Sequence, residues 1–214
     1  MKKMALVLAA VLASGMVLTA CGGSGNAAKE TTGNNTSTTT TTTGGLDLAV
    51  QVGPDPETVD PALNTAIDAS NIILHAFETL LTFDENNDIV PGQAESFDVS
   101  DDGLTYTFHL RDGLKWSDGS DFTAEDFVYS WKRLADPMTA APYAADMLSM
   151  VKGYDEAAAG DIDALGVSAP DAKTLVVELA SPCVYFDKII THASMAPVKK
   201  DVVDGNGDQW ALAP

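Results

Sequence analysis

The first 45 residues pair an apolar run with a polar, low-complexity segment. Met4 to Ala20 contains no charged residue and follows Lys2 and Lys3, which is the pattern of a secretory signal. The run is shorter than the roughly 20 apolar residues that a membrane-spanning helix needs. Residues 21–45 are rich in Gly, Asn and Thr and have almost nothing apolar to bury. We therefore expect residues 1–20 to be a signal peptide and residues 21–45 to be a disordered tether.

The pattern of a folded domain begins after this tether. Leu46 to Val52 alternates apolar and polar residues like a half-buried strand, and Gly-Pro-Asp-Pro at 53–56 ends it. Apolar residues then recur at helical spacing, which predicts a helix over 68–81 that Asp68 or Ser70 can cap. The apolar positions of this helix are Ile72, Ile73, Ala76, Phe77, Leu80 and Leu81.

Between Thr82 and Trp116 the pattern changes to short strands, with polar turns at 85–88, 100–103 and 111–113. One face carries Leu104, Tyr106, Phe108 and Leu110, and the other carries Thr105, Thr107, His109 and Arg111. We expect His109 to lie on a solvated sheet surface. The pattern predicts an antiparallel meander, which needs a helix over its apolar face.

That helix follows, and its start is well specified. Thr123 and Asp126 stand three apart as a capping box, while Phe122 and Phe127 occupy the two positions of a hydrophobic staple. An apolar stripe then continues until Asp136-Pro137 ends the helix. Further along, the sequence predicts an acidic helix or loop at 154–160 and a strand at 175–179, entered through a turn at Pro170-Asp171.

The two cysteines lie in different settings, although their number alone would also allow one disulfide. Leu18-Thr19-Ala20-Cys21 resembles the lipobox of bacterial lipoproteins, in which the cysteine is diacylated and becomes the first residue of the mature chain. This resemblance implies a stable lipid anchor at Cys21. Cys183 lies between Pro182 and the run Val-Tyr-Phe at 184–186, so we expect a small core residue there.

The charge balance excludes one class of partner. The chain has 31 acidic and 12 basic residues, giving a formal net charge of −19. Nucleic acid is therefore not an expected partner, because phosphate binding depends on clustered basic residues. An anionic membrane surface also repels such a domain, so membrane contact should run through the lipid on Cys21.

One acidic group imitates the ligand spacing of a calcium loop. Its residues are Asp84, Asn86, Asp88 and Glu95. Ile89 stands where such a loop requires Gly, so a hairpin turn is the better explanation. The three histidines, His75, His109 and His192, have no metal-ligand spacing, and we expect neither a metal nor a cofactor.

A second acidic group could supply the acid and base of a glycosidase. Its members are Asp118, Asp121, Glu125 and Asp126. Glu125 and Asp126 fall in the first turn of the predicted helix, where carboxylates interact favourably with the helix dipole. Because no nucleophile motif accompanies them, binding is favoured over catalysis.

Four blocks together resemble a known family. The segment GLTYTFHLRDGLKWSDGSDFTAEDFVYSWKRLADPMTAAPYAADM at 103–147 is similar to the extracellular oligopeptide-binding proteins of ATP-driven peptide importers, solute-binding protein family 5. The likeness continues through FETLLTFDENNDIVPGQAESF, LGVSAPDAKTLVVEL and PCVYFDKIITHASMAPV, and so covers about residues 53–210. It implies a mixed α/β fold of the type II periplasmic-binding-protein kind, whose two lobes close over a peptide held by its backbone.

The resemblance also implies a domain plan. Residues 46–77 would begin lobe I, residues 78–199 would form the accessory domain, and residues 200–214 would start the return to lobe I. Members of the family are more than twice this length. The chain is therefore expected to be an N-terminal fragment that lacks the second lobe.

The resemblance implies only a small set of binding residues. Thr65, Ala66 and Ile67 align with a strand-like contact to the peptide, and Tyr143 aligns with a cleft tyrosine. Many relatives carry Glu at the position of Thr65, so the contact expected there is made by the backbone. The implied partners are short peptides and the permease and ATPase chains of the importer.

Two alternatives remain open. Relatives with this architecture take dipeptides, nickel complexes, sugars or signalling peptides. A secreted hydrolase would instead need a convergent catalytic cluster.

Overall fold

The computed structural model describes residues 49–51 and 53–211. The predicted signal peptide, the tether and Cys21 lie outside these residues, and residues 49–51 belong to no strand. The helices are α1 Ile67–Ala76, α2 Ala124–Ala135, α3 Ala144–Leu148, α4 Tyr154–Ala158, α5 Phe186–Ile189 and α6 Lys200–Asn206. The strands are β1 Leu81–Phe83, β2 Ile89–Pro91, β3 Ala94–Val99, β4 Thr105–Leu110, β5 Val167–Asp171 and β6 Thr174–Glu178.

The strands form two antiparallel sheets. β1 pairs with β2 as a hairpin, and the larger sheet has the order β3-β4-β6-β5. The predicted alternation in β4 is confirmed, since Tyr106, Phe108 and Leu110 are buried while their neighbours are partly exposed. The simple meander is wrong, because β6 pairs along β4 with Phe108 opposite Leu175. Sequence periodicity identifies strands but cannot show that a strand from much later in the chain pairs with β4.

Helix α2 covers the larger sheet and supplies much of the core. Phe127 and Trp131 have no exposed surface. The capping box is confirmed, with the N–H of Thr123 donating to Asp126 Oδ2 at 2.8 Å. The staple is confirmed too, because the rings of Phe122 and Phe127 meet edge to face with centroids 5.6 Å apart. Local sequence signals therefore predicted both ends of this helix correctly.

Helix α1 is shorter than its apolar spacing predicted. It ends at Ala76, and Phe77 is extended at φ −120° and ψ 150°. Leu80 instead joins the core, where its carbonyl accepts hydrogen bonds from the N–H groups of Gly92 and Ala94 at 3.1 and 3.0 Å. The predicted caps are also wrong, since the N-cap is Ala66 and no side chain caps the helix. Sheet pairing overrides the helical spacing here.

Strand β5 was not predicted. Pro170 and Asp171 lie within it, and the tight turn falls one residue later at 172–173. β5 is an edge strand, which tolerates a proline because one side of it needs no ladder hydrogen bonds. The ladder is irregular between Ser168 and Asp171, where the proline sits. The predicted strand at 175–179 is confirmed as β6, shifted by one residue.

Buried apolar residues group into one large cluster and two small ones. The large cluster joins both sheets, α2, α4 and α5, and it includes Cys183 as predicted. One small cluster contains Ala69, Ile73, Ala193 and Ala196. The other contains Val198, Val203 and Trp210. Among the described residues, no helix is long and apolar enough to cross a membrane.

Candidate functional site

The segment Thr65–Ile67 leads into α1, and its middle residue is already hydrogen-bonded. Ala66 is extended at φ −101° and ψ 139°. Its N–H donates to Asn64 Oδ1 at 2.9 Å, and its carbonyl accepts from the N–H and Oγ of Ser70 at 3.0 and 3.1 Å. Asn64 Nδ2 also donates to Ser70 Oγ at 2.8 Å. These contacts fix the backbone but occupy both polar groups of Ala66.

The residues on either side of Ala66 differ from it in the hydrogen bonding of their main-chain groups. Within the described part of the chain, the N–H and carbonyl of Thr65 and the N–H of Ile67 make no hydrogen bond. In a planar trans peptide unit the carbonyl and the following N–H point in opposite directions. The carbonyl of Thr65 therefore points away from the N–H of Ala66, and the N–H of Ile67 points away from the carbonyl of Ala66, so both face away from the bonds to Asn64 and Ser70. The peptide contact expected for Thr65, Ala66 and Ile67 stays a prediction, and the main-chain groups that the described residues leave open for it belong to Thr65 and Ile67.

Tyr143 lies at the start of α3, and its ring is half-buried. The ring meets that of His192 edge to face, with centroids 5.6 Å apart and planes at 74°. Its neighbour Pro142 lines a cavity of about 490 Å³ together with Thr65 and Ala66. Tyr143 and Ile67 do not line this cavity. The structure therefore brings the two predicted segments close together, but only part of each faces the same space.

A buried charged network holds this region in place. Asp60 is 2% exposed and binds Arg133 of α2 through two hydrogen bonds of 3.0 and 2.6 Å. Its carboxylate also accepts from the N–H of Ala62 at 2.9 Å and from Trp210 Nε1 at 2.9 Å. We call Asp60, Arg133 and Trp210 the Asp60 bridge. It joins the segment before α1 to α2 and to the end of the described chain.

Sequence reasoning missed the Asp60 bridge and the role of Asn64. The partners of Asp60 lie 73 and 150 residues away, so no local pattern could identify them. Asn64 could have been predicted in part, because Asn side chains often accept a hydrogen bond from the backbone N–H two residues later, in an Asx turn. Gln209 and Ala211, which also line the cavity, carried no such signal.

The two acidic groups have structural partners. Asp84 Oδ1 accepts from the N–H groups of Asn86 and Asp88 at 2.8 and 2.9 Å, and the backbone bond from Asp88 lowers the pKa of Asp84. The predicted hairpin turn between β1 and β2 is therefore confirmed. Across residues 49–51 and 53–211, no group of three or more His, Cys, Asp or Glu side chains could hold a metal ion.

The second acidic group is dispersed over different contacts. Lys199 and Ser120 bind Asp118, and the bond from Lys199 is the main reason that the pKa of Asp118 lies far below its ordinary value. Lys115 binds Asp121 and lowers its pKa in the same way. Burial raises the pKa of Asp126, which is held in the capping box. Three of the four carboxylates thus have structural partners.

Comparison with known proteins assigns the class. The fold is that of the periplasmic binding proteins, as shown by the solved Haemophilus influenzae OppA in complex with RPPGFSPFR. That structure superposes with a TM-score of 0.72 at 40% identity over 75% of this chain and 32% of its own. The profile of the bacterial extracellular solute-binding proteins, family 5 Middle, matches residues 88–214. The chain belongs to this family.

Two curated relatives show how much of a family member is present. The periplasmic oligopeptide-binding protein OppA of Escherichia coli K12 is 43% identical over 161 residues, which are 74% of this chain and 30% of the relative. The oligopeptide-binding protein OppA of Bacillus subtilis 168 is 33% identical over 208 residues, 96% of this chain and 37% of the relative. The chain thus spans about a third of the length of these relatives.

Proposed function

We propose that the chain is part of the extracellular solute-binding component of an ATP-driven oligopeptide importer. In this role it captures short peptides through their backbones and presents them to separate permease and ATPase chains. The names of the E. coli and B. subtilis relatives support peptide as the solute. The H. influenzae neighbour supports it further, because that protein was solved with a nine-residue peptide.

One observation carries the proposal for this chain. Thr65 and Ile67 form a main-chain edge with two N–H groups and one carbonyl that have no partner among the described residues, and Thr65 also lines a cavity of about 490 Å³. An extended peptide that pairs with such an edge gains main-chain hydrogen bonds that every sequence can make. Side-chain preference should accordingly be weak. The chemistry that this role needs is binding.

The test removes a single N–H. Ile67 is the first residue of α1, where proline fits without disturbing a helix, and Ala66 before it has the extended backbone that proline requires. In the full-length protein, which carries the second lobe that the resemblance implies, we expect Ile67→Pro to weaken binding of trialanine about three- to tenfold, since one hydrogen bond contributes about 0.5–1.5 kcal/mol. The control Ile67→Ala removes the exposed side chain but keeps the N–H, and should bind like the parent. Amide chemical shifts followed during the peptide titration provide the measurement.

The same titration also tests other solutes. A dipeptide, a nickel–histidine complex and a sugar are added in parallel with trialanine. Shifts confined to Thr65 and Ile67 with trialanine support the proposal. Shifts with the sugar or the nickel complex alone would move the assignment to that solute, and equal binding by the proline and alanine variants would contradict the backbone contact.

We also propose that the protein is held at the outer face of the cell membrane by lipid on Cys21. The support is the sequence Leu-Thr-Ala-Cys at 18–21 behind an apolar run. Mass spectrometry of the membrane fraction should detect an acylated peptide that begins at Cys21. An unmodified Cys21 in the mature protein would contradict the anchor. The boundaries at 77/78 and 199/200 are proposals of the same kind that rest on the family resemblance, since the two small apolar clusters join residues on both sides of them.

A further inference from the structure

His192 connects the two parts of the candidate site. Its ring meets the Tyr143 ring edge to face, with centroids 5.6 Å apart. Its Nδ1 accepts a hydrogen bond from the N–H of Ser194 at 3.1 Å, which caps the short 3₁₀ turn Ala193–Met195. The backbone N–H of His192 is held by the carbonyl of Ile189 at 3.0 Å. One side chain therefore contacts Tyr143 and also orders the turn that follows it.

The 3₁₀ turn Ala193–Met195 packs against α1. Ala193 and Ala196 form a small apolar cluster with Ala69 and Ile73, and both of these α1 residues have no exposed surface. α1 begins at Ile67, which carries one of the unpaired N–H groups. Because these side chains are buried and closely packed, a shift of the turn is passed on to α1. His192 is thus linked to both Tyr143 and the start of α1.

We propose that His192 is a positioning residue for this site, which in its neutral form holds Tyr143 and the start of α1 in register and releases them when it gains a proton. The proposal rests on the proposed function for its effect on peptide binding. The structural coupling between His192, Tyr143 and α1 does not depend on which solute binds. Its chemistry is a single proton on an imidazole nitrogen.

The cap itself requires the neutral ring. A nitrogen that accepts from Ser194 carries no proton, so the ring proton lies on Nε2. A protonated ring has two donors and cannot accept this bond. Protonation therefore removes the cap and leaves the N–H of Ser194 without its partner, in a residue that is 4% exposed.

The surroundings set the direction of the pH dependence. Burial lowers the pKa of His192, and the carboxylate of Asp146 in α3 opposes this effect. The α1 side chains in the apolar cluster with the turn, Ala69 and Ile73, carry no charge, and the Tyr143 ring contacts the other side of His192. Since the folded pKa lies below the unfolded value of about 6.5, the cap contributes its full stability above that pH. The contribution is lost as the pH falls from about 6.5 through the folded pKa.

Two variants separate the ring from the cap. His192→Asn keeps an acceptor suited to an N-cap but has no ring and no proton to gain. His192→Phe keeps a ring for Tyr143 but cannot accept from Ser194. A matched control, His109→Asn, removes a half-exposed histidine that pairs with Asp98 on the sheet surface.

The first measurement uses no peptide, so that a failure of the proposed function is distinguishable. The ring resonances of Tyr143 and the amides of Ser194 and Ala69 are followed from pH 8 to 4.5. We expect all three to titrate together with one midpoint below about 6.5 in the parent and in His109→Asn. The common titration should vanish in His192→Asn. Independent midpoints, or a shared titration that survives in His192→Asn, would overturn the proposal whether or not either variant binds peptide.

The second measurement asks whether this coupling reaches the solute. Trialanine affinity of the parent should fall about tenfold between pH 7.5 and 5, while that of His192→Asn should stay within about twofold. His192→Phe should bind at pH 7.5 as weakly as the parent does at pH 5. A parent affinity that is independent of pH would overturn the positioning role. An absence of peptide binding at every pH, together with an intact titration of Tyr143 and Ala69, would count against the proposed function and support the coupling.

Discussion

Two regions of the described chain, one around the larger sheet and one around α1, differ in the kind of contact that stabilises each of them. Around the larger sheet, one continuous apolar cluster contains Phe108, Phe127, Trp131 and Phe186, none of which exposes any surface. Around α1, the apolar clusters are small, and the main cross-links are the charged and polar contacts of the Asp60 bridge. The first part is held mainly by apolar burial. The second depends on a few directional bonds.

The two kinds of contact have different effects: apolar burial mainly stabilises the fold, whereas directional bonds mainly fix the positions of the groups that they join. Apolar burial stabilises in proportion to area and has no directional requirement of its own. A buried guanidinium–carboxylate pair does have one, because a lost partner leaves an uncompensated charge in a dry site. The segment Thr65–Ile67 therefore sits on the part of the molecule where geometry is most sharply specified. A binding edge made of main-chain groups needs that accuracy, since hydrogen bonds weaken steeply with misalignment.

The largest effect should come from the apolar part. Trp131→Ala removes a side chain with no exposed surface and also the hydrogen bond from Nε1 to the carbonyl of Met195 at 3.0 Å. We expect a loss of about 3–5 kcal/mol in the free energy of unfolding, measured by urea denaturation. The control Tyr185→Ala removes an aromatic ring from a residue that is 55% exposed and should cost far less. A loss below about 1 kcal/mol for Trp131→Ala would contradict the assignment of the core.

The second-largest effect should come from breaking the Asp60 bridge, and the neighbouring residue Lys132 provides the control. Arg133→Met leaves the carboxylate of Asp60 buried without its cation, and we expect a loss of about 3 kcal/mol. Lys132→Met removes an ion pair of similar length to Asp163, which is 85% exposed, and should change the stability little. Hydrogen exchange locates the damage. It should speed up at Ala62 and α1 in Arg133→Met and remain slow in β4, and uniform loss of protection would show that the two parts unfold together.

The smallest effect tests a surface contact between the parts. Lys199 lies just before α6 and binds Asp118 in the turn before α2, and this contact lowers the pKa of Asp118. A carboxylate with a depressed folded pKa stabilises above its unfolded pKa of about 4, and this stability is lost as the pH falls below that value. The urea midpoint of Asp118→Asn should therefore fall less steeply between pH 5 and 2 than that of the parent. The exposed Asp101→Asn is the control, and identical slopes in all three proteins would refute the contact.

The sequence predicted those features whose cause is local. Thr123, Asp126 and the two phenylalanines of the staple lie within six residues, so the start of α2 could be read directly. The alternation in β4 was equally reliable. The family resemblance added the likeness to periplasmic binding proteins and to their peptide-binding members, which the comparisons support.

The features that could not be predicted depend on distant partners. Leu80 reads as a helical residue, but its carbonyl is taken by Gly92 and Ala94, so α1 ends early. β5 contains Pro170 and becomes a strand only because β6 pairs along one of its edges. Asp60 carries no local signal for its buried position, which depends on Arg133 and Trp210. In the candidate site, the family resemblance predicted Thr65 to Ile67, but only hydrogen bonding shows which of their polar groups have no partner among the described residues.

The Asp60 bridge also has a consequence for the order of folding. It closes one loop of 73 residues through Arg133 and one of 150 residues through Trp210. Doubling a loop adds only about 0.6 kcal/mol to the entropy of closure, so length alone does not decide the order. The order is decided by the sheet and α2, because their formation fixes the position of Arg133 before Asp60 binds to it. We therefore expect refolding in two kinetic phases, in which the fluorescence of Trp131 changes first and that of Trp210 changes last.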